Sequence, residues 1–373
     1  MDVGIPREIR EFEHRVGLAP GGVHVLVRRG SRVFVETNAG AAAGFSDEDY
    51  KRVGAEIVYT TEEAYQRPDI ILKVGRPQPK EYDLLGTGKI LGCFLHLAVA
   101  PSSLVDVLLE KQITTLAYEL LEDEHGHRTI AGPVSLICGR MCCQVASRHM
   151  ENTMGGKGIL LSGVPGVPAA DVLIIGAGQV GRSAAEMFKG IGASVVVMDI
   201  DFEALQELEQ YLGGSGLQTM VATKFNIQRV LKYADVVVCA VSVPGERSPI
   251  VITREMLSVM QHKALVIDVA IDQGGCVETS RPTTLGTPTF VEGSIIHYCV
   301  PNMSSNVART ASHLITNALT GMVRGFAEKG FVPTIKAHPG IRDGVVTHQG
   351  HLVNEAVAKS LKREHQGLEA LGV

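Results

Sequence analysis

Residues 169–185 read AADVLIIGAGQVGRSAA, and Asp199 follows at the end of the next apolar run. Residues 172–175 predict a strand, and Gly176, Gly178 and Gly181 supply a G-x-G-x-x-G turn. An amphipathic helix is predicted over 183–192 and a second strand over 193–198. Each glycine answers a different demand. Gly176 permits a tight turn, Gly178 lets bare backbone approach a pyrophosphate, and Gly181 lets helix and strand pack closely. Gln179 and Val180 fall where free N–H groups at a helix start receive negative charge. Asp199 stands where an acid accepts hydrogen bonds from an adenosine ribose. Strand, turn, helix, strand and acid in this order predict a dinucleotide site, against the plainer alternative of an ordinary βα helix cap. The strand after Gly192 and the residues just beyond it hold no Arg to neutralise an extra phosphate. NAD rather than NADP is therefore the expected cofactor.

At 373 residues the chain exceeds what one growing core usually holds, so two domains are expected. Apolar residues make up 45% and charged residues 20%, which suits a globular α/β enzyme. A net charge of −5 gives no overall attraction to nucleic acid or anionic lipid, and positive charges are scattered. No run of eighteen apolar residues predicts a membrane helix. The opening MDVGIPREIREFEHRVGL lacks the apolar core of a secretory signal. Seven cysteines without regular spacing read as reduced, mostly buried thiols, so a cytoplasmic location is expected.

The opening third alternates strands, at 3–5, 32–36, 57–59, 69–74, 90–95 and 114–118, with short helices. That pace implies right-handed βαβ units on a parallel sheet. Helices are expected over 137–150, 202–212, 307–330 and 351–361, and further strands at 235–241, 264–270 and 295–298. The fold class is α/β: two Rossmann-like domains with parallel sheets and an active-site cleft between them. A nucleotide-binding domain, 129–306, is expected as an insertion in a substrate domain built from 1–128 and 307–373.

Four polar residues fall at predicted strand ends or turns, where open α/β sheets bind ligands. Lys73 sits inside the apolar run DIILKVGRP, and a buried ammonium needs a partner. A substrate carboxylate is one such partner; a lysine snorkelling from the strand end is the alternative. Arg15 could add a fork of parallel hydrogen bonds, or be an ordinary loop arginine. His96, near the end of ILGCFLHLA, is either a proton-transfer group or a satisfied core imidazole. In VIDVAIDQGG an extended chain would put Asp268 and Asp272 on one side, and Asp272, beside a glycine pair, is the better catalytic candidate. A turn or cap aspartate is its plainer reading. Metal binding is not expected, because no zinc-type cysteine pair opens into a second one. A serine nucleophile is poorly supported, because LLSGVPG lacks the G-x-S-x-G elbow.

Across essentially its whole length the sequence resembles the alanine dehydrogenase/pyridine nucleotide transhydrogenase family. The segments that carry the resemblance are VGIPREIREFEHRVGLAPGGV, DIILKVGRPQPKEYDLL, FLHLA and GILLSGVPGVPAADVLIIGAGQVG. The most specific are ALVIDVAIDQGGCVETSRPTT and HYCVPNM. His96 together with the DQGG form looks like the dehydrogenase branch. The resemblance implies that Arg15 and Lys73 hold the substrate and that His96 and Asp272 form the acid–base pair. It implies that Ser135 touches the cofactor pyrophosphate, that Val241 and Val243 lie over the cofactor, and that Asn302 and Met303 lie near the nicotinamide. Implied too are NAD as cofactor, L-alanine, pyruvate and ammonia as reactants, and a homohexamer or smaller oligomer. Leu136, Phe94 and Glu203 depart from the family pattern. Alternatives are a transhydrogenase subunit coupled to a membrane partner, a dehydrogenase for a larger amino acid, and an NAD-sensing regulatory protein.

Overall fold

The computed structural model describes residues 1–243 and 245–373, and these fall into two compact units, each with its own sheet. Unit one comprises Met1–Val134 and Ser305–Val373 together with residues 245–246; unit two comprises Ser135–Val243 and Arg247–Ser304.

Unit one is built on β1 (Val3–Ile5), β2 (Val33–Glu36), β3 (Glu56–Val58), β4 (Ile70–Gly75), β5 (Ile90–Phe94) and β6 (Thr114–Ala117). Their order is β3-β2-β1-β4-β5-β6 and every pairing is parallel. This is a doubly wound sheet whose order reverses between β1 and β4, the place where such sheets open a crevice. β1, β2 and β4 are buried along their whole length, as strands covered on both faces must be. Local signals are well formed. Ser46 and Asp49 make a reciprocal capping box at the helix Asp47–Arg52. The 22-residue helix Ala308–Lys329 buries Ala311, Ile315, Leu319, Val323 and Phe326, one stripe at helical spacing. Its Ser312 and Thr316 hydroxyls accept from the N–H groups of Val16 (3.1 Å) and Ala19 (2.7 Å), so this late segment fixes the chain that follows β1.

Unit two contains β7 (Asp171–Ile175), β8 (Ser194–Asp199), β9 (Leu217–Val221), β10 (Val236–Cys239), β11 (Leu265–Asp268), β12 (Thr289–Glu292) and β13 (Ile295–Tyr298). The order is β12-β13-β11-β10-β7-β8-β9. From β9 inward it repeats the doubly wound order of unit one, with its reversal between β7 and β10. One face of the sheet, including Leu173, Ile175, Val237 and Val266, packs on Ile227, Val230, Leu231 and Met256 from flanking helices. Each such side chain contributes about 1.5–3 kcal/mol on burial.

Four local expectations need correction. β12 runs antiparallel to β13, so the second sheet is mixed at one edge. The helix expected from 137 begins at Ala131 and runs to His149, because Pro133 lies in its first turn, where no intrahelical N–H is lost. The segment expected as a helix from 351 opens as a strand. Thr347–His348 (β14) and His351–Leu352 (β15) form a hairpin around Gly350 (φ +83°), and only Glu355–Leu361 is helical. Thr347 makes that hairpin a tertiary feature: its N–H donates to the Thr115 hydroxyl (3.0 Å) and its hydroxyl to the Ile113 carbonyl (2.7 Å). Finally, Asp268 and Asp272 do not share one side of an extended chain, since the backbone turns into a 3-10 helix over Val269–Gln273.

Candidate active site

In unit one the candidate substrate residues gather at the β1/β4 reversal and the neighbouring exit of β5. A Cβ at Gly17 would stand 2.2 Å from the Leu72 carbonyl oxygen. Only glycine lets the segment carrying Arg15 lie directly on β4, beside Lys73. Lys73 is fully buried in β4. Its ammonium reaches Glu8 Oε2 at 3.0 Å and Glu81 Oε1 at 2.8 Å. Glu81 also accepts from the Tyr65 hydroxyl (2.7 Å) and the Gln78 N–H (2.7 Å), and Glu8 from the Val74 N–H (2.6 Å). Burial works against the Lys73 charge, but the two carboxylates outweigh it and hold the ammonium protonated well above its usual range. One ammonium cannot neutralise both acids. Burial pushes the Glu8 carboxyl up, only partly offset by Lys73.

Arg15 is buried and makes a fork on Glu13, with Nε at 2.7 Å from Oε1 and Nη2 at 2.6 Å from Oε2. Burial opposes the Glu13 charge; the guanidinium overrides it and holds the carboxyl below its usual range. Both candidate substrate cations are therefore already matched by acids of the same unit. An incoming carboxylate competes with those acids.

His96 stands two residues past the end of β5 with φ 44° and ψ 52°, a left-handed conformation that costs a non-glycine residue on the order of 1–3 kcal/mol. Its imidazole stacks on Phe94 (6.0 Å between centroids, 11° between planes), and Phe94 meets the edge of Tyr118. The Leu95 and His96 N–H groups donate to the two oxygens of Glu119, at 3.1 and 2.6 Å.

In unit two every nucleotide-site candidate except Ser135 follows the carboxyl end of a strand in one contiguous part of the sheet. The three glycines do different work, as their Cβ positions show. At Gly181 a Cβ would lie 1.7 Å from the Gly176 carbonyl oxygen, and at Gly176 (φ +107°) 2.6 Å from that of Ala240. At Gly178 it would meet nothing within 4 Å. Gly178 is also the N-cap of the helix Gln179–Gly190, and no side chain caps that end. Open space over uncapped N–H groups of Gln179, Val180 and Gly181 fits a pyrophosphate. Asp199 ends β8 and accepts from the N–H groups of Ala177 (2.6 Å) and Asp201 (2.9 Å), so the acid also holds the glycine turn. Ser135 lies one turn before Gly139, whose missing side chain lets the helix Ala131–His149 press on Val180 (2.4 Å to its carbonyl from a Cβ). Val241 and Val243 follow β10, with Val243 exposed. Asn302 and Met303, both buried, follow β13.

Asp272 is half-buried in the 3-10 turn after β11, followed by Gly274 (φ +102°) and Gly275 (φ +81°). Asp268 is nearly inaccessible and accepts from the Cys276 (3.0 Å) and Val277 (3.2 Å) N–H groups. Burial raises its carboxyl, and those bonds oppose the rise. A Cβ at Gly275 would approach Asp268 to 2.9 Å, so Asp268 anchors the loop that presents Asp272. Among the described residues the buried Gln273 Oε1, next to Asp272, has no hydrogen-bond partner.

With this geometry in hand, comparison with known proteins is decisive. Residues 4–135 match the N-terminal domain, and residues 142–355 the C-terminal domain, of "Alanine dehydrogenase/PNT". The alanine dehydrogenase of Mycobacterium tuberculosis (strain ATCC 25618 / H37Rv) is 39% identical over 361 residues, 97% of each chain. The chain belongs to the alanine dehydrogenase/PNT family. A solved L-alanine dehydrogenase superposes with a TM-score of 0.89 at 38% identity, covering 97% of this chain and 99% of that one. The transhydrogenase from Sinorhizobium meliloti shares the fold, with a TM-score of 0.78 at 22% identity over 95% of this chain and 100% of that one. For this family member, sequence reasoning missed Glu8, Glu13, Glu81 and Glu119. Glu13 had a visible signal, an acid two residues from Arg15. Glu8 and Glu119 had none, because chain folding alone brings them to Lys73 and His96.

Proposed function

We propose that the protein is an L-alanine dehydrogenase that catalyses the reversible, NAD-dependent oxidative deamination of L-alanine to pyruvate and ammonia. The observation that supports this over nucleotide binding alone is His96. An imidazole held in a strained conformation at a strand exit, in the unit that also carries Lys73 and Arg15, suits proton transfer. Family membership and the DQGG loop support the same reading.

Gly176, Gly178, Gln179, Val180, Gly181 and Ser135 would hold the NAD pyrophosphate, Asp199 the adenosine ribose, and Val241, Val243, Asn302 and Met303 the remainder. Bound NAD would supply the acceptor for the hydride that leaves the alanine Cα. Lys73 and Arg15 bind and orient the substrate carboxylate, and their charge favours the oxygen-rich species that follow. The His96 imidazole takes the proton lost from the substrate ammonium, then directs water to the imine carbon of iminopyruvate. Asp272 shares the proton movements by which the carbinolamine releases ammonia and leaves pyruvate. Asp199 repels the extra phosphate of NADP. The family resemblance supports a homohexamer or a smaller oligomer, which light scattering distinguishes, and the seven scattered thiols support a cytoplasmic location.

The test is purified protein with L-alanine and NAD, following NADH absorbance and pyruvate, then the same with NADP. Production of both with NAD, at far higher kcat/KM than with NADP, is expected. Firm NADH binding without consumption of alanine, or of pyruvate with ammonia, overturns the dehydrogenase reading in favour of a transhydrogenase-like subunit. Equal use of NADP overturns the role of Asp199.

A further inference from the structure

We propose that Glu119 is a positioning residue that sets the direction of the His96 side chain through the backbone; the inference rests on the reading of His96 as a proton-transfer group. β5 and β6 are parallel neighbours, with Cys93 opposite Ala117. Leu95, His96 and Glu119 therefore emerge side by side, just past two adjacent strand ends. Glu119 is buried, and its two oxygens receive two successive N–H groups, from Leu95 (3.1 Å) and His96 (2.6 Å). In the same segment the Arg76 guanidinium donates to the carbonyls of Leu95 (3.3 Å) and His96 (3.4 Å), so the Leu95–His96 peptide is held at both its N–H and its carbonyl. The left-handed turn is thus gripped at its donors by a carboxylate and at its acceptors by a guanidinium. Arg128, paired with Glu122, donates to the Glu119 carbonyl and fixes the clamp in turn.

Among the described residues no cation pairs with the Glu119 carboxylate. A buried carboxylate is costly, and here its compensation comes from backbone donors alone. Those donors belong to the one peptide segment whose relaxation would swing the imidazole away. A positive φ is uncommon and costly for any residue with a Cβ, so the clamp supplies what a glycine would supply at no steric cost, while keeping the side chain.

The experiment is a double-mutant cycle on the full-length protein, Glu119→Ala and Glu119→Gln, each in the unmodified and His96→Ala backgrounds. In the unmodified background Glu119→Ala lowers kcat for alanine about 10- to 100-fold, the effect of displacing a catalytic group by about 1 Å. Glu119→Gln, which keeps one acceptor oxygen, loses less. NADH affinity stays within about twofold, and in the His96→Ala background removing Glu119 has no further effect on kcat. An equal drop in both backgrounds overturns the proposal, as does unchanged kcat in Glu119→Ala. Hydrogen–deuterium exchange of the peptide bearing residues 94–97 gives a readout independent of turnover and of whether the alanine variant folds. Protection there in the unmodified protein, reduced in Glu119→Gln, supports the clamp; exchange at the rate of exposed turns in the unmodified protein, or undiminished protection in Glu119→Gln, overturns it. Full turnover by His96→Ala alone sinks the reading of His96 itself, an outcome distinct from failure of the clamp.

Discussion

A fully buried ammonium shared by two acids makes Lys73 a member of the core as much as of a substrate site. Replacing Lys73 by Met leaves Glu8 and Glu81 buried with no cation, and breaking such a cluster costs about 3–5 kcal/mol. Lys73→Met is therefore expected to abolish alanine turnover and to lower the Tm; adding Glu8→Gln should restore much of the stability but no turnover. Calorimetry with a turnover assay separates the two effects, and recovered turnover in the double variant would remove Lys73 from substrate binding. Glu8 carries its own pH signature. Its folded carboxyl lies above the ordinary 4.5, so between these values the native state binds more protons than the unfolded chain. Its stabilising contribution is complete below the ordinary value and lost as pH rises through the folded one. Tm measured against pH should fall more steeply across that window in the unmodified protein than in Glu8→Gln; parallel curves would contradict the assignment. The sequence marked Lys73 as a buried charge in need of a partner. It did not mark which acids answer, because the partners come from the loop after β1 and the turn after β4.

At the scale of elements, the glycine turn after β7 separates fold from function within six residues. Gly181→Ala drives a methyl into the Gly176 carbonyl (1.7 Å), so helix and strand must part, and a loss of several kcal/mol is expected. Gly178 has φ −70° and open space around it, so Gly178→Ala should alter stability by less than about 0.5 kcal/mol. Its methyl would stand over the helix N-terminus, and NADH affinity should fall about tenfold or more. Denaturant titration and NADH fluorescence test the pair. A Gly178→Ala variant that binds NADH normally would move the pyrophosphate elsewhere. Asp199→Ala should weaken the turn as well as coenzyme choice, because the carboxylate bonds the Ala177 N–H. This turn was the most legible element, since strand, glycines, helix and acid are all local in sequence. The hairpin β14–β15 was not, because its two-residue strands are short and Thr347 is held by distant bonds to Thr115 and Ile113.

For the whole molecule, two units with separate sheets and cores predict that coenzyme stabilises them unequally. NADH at about a hundred times its Kd adds about 2.7 kcal/mol to whichever unit binds it. Scanning calorimetry should then show NADH raising one of two transitions, and limited proteolysis should show protection within 135–304. A single transition that shifts intact would mean that the units unfold together. No described helix is long and apolar enough to cross a membrane.

By itself, the sequence determined what short-range chemistry determines. It carried the α/β class and nearly every strand, because period, β-branching and turn residues act within a few positions. It also carried the nucleotide turn, because G-x-G-x-x-G and Asp199 belong to one βαβ unit, and the family, because its motifs are contiguous. Tertiary structure alone decided the order that six strands of each sheet share and the antiparallel β12. It alone decided the fate of the buried charges, which pair Lys73 with Glu8 and Glu81 and leave Glu119 holding His96 from just beyond the neighbouring strand. The turn that separates Asp268 from Asp272 also belongs there, since Asp268 is fixed by N–H groups eight and nine residues away. A carboxylate taken out of water must find donors wherever the folded chain places them, and no pattern along the chain records which donors those are.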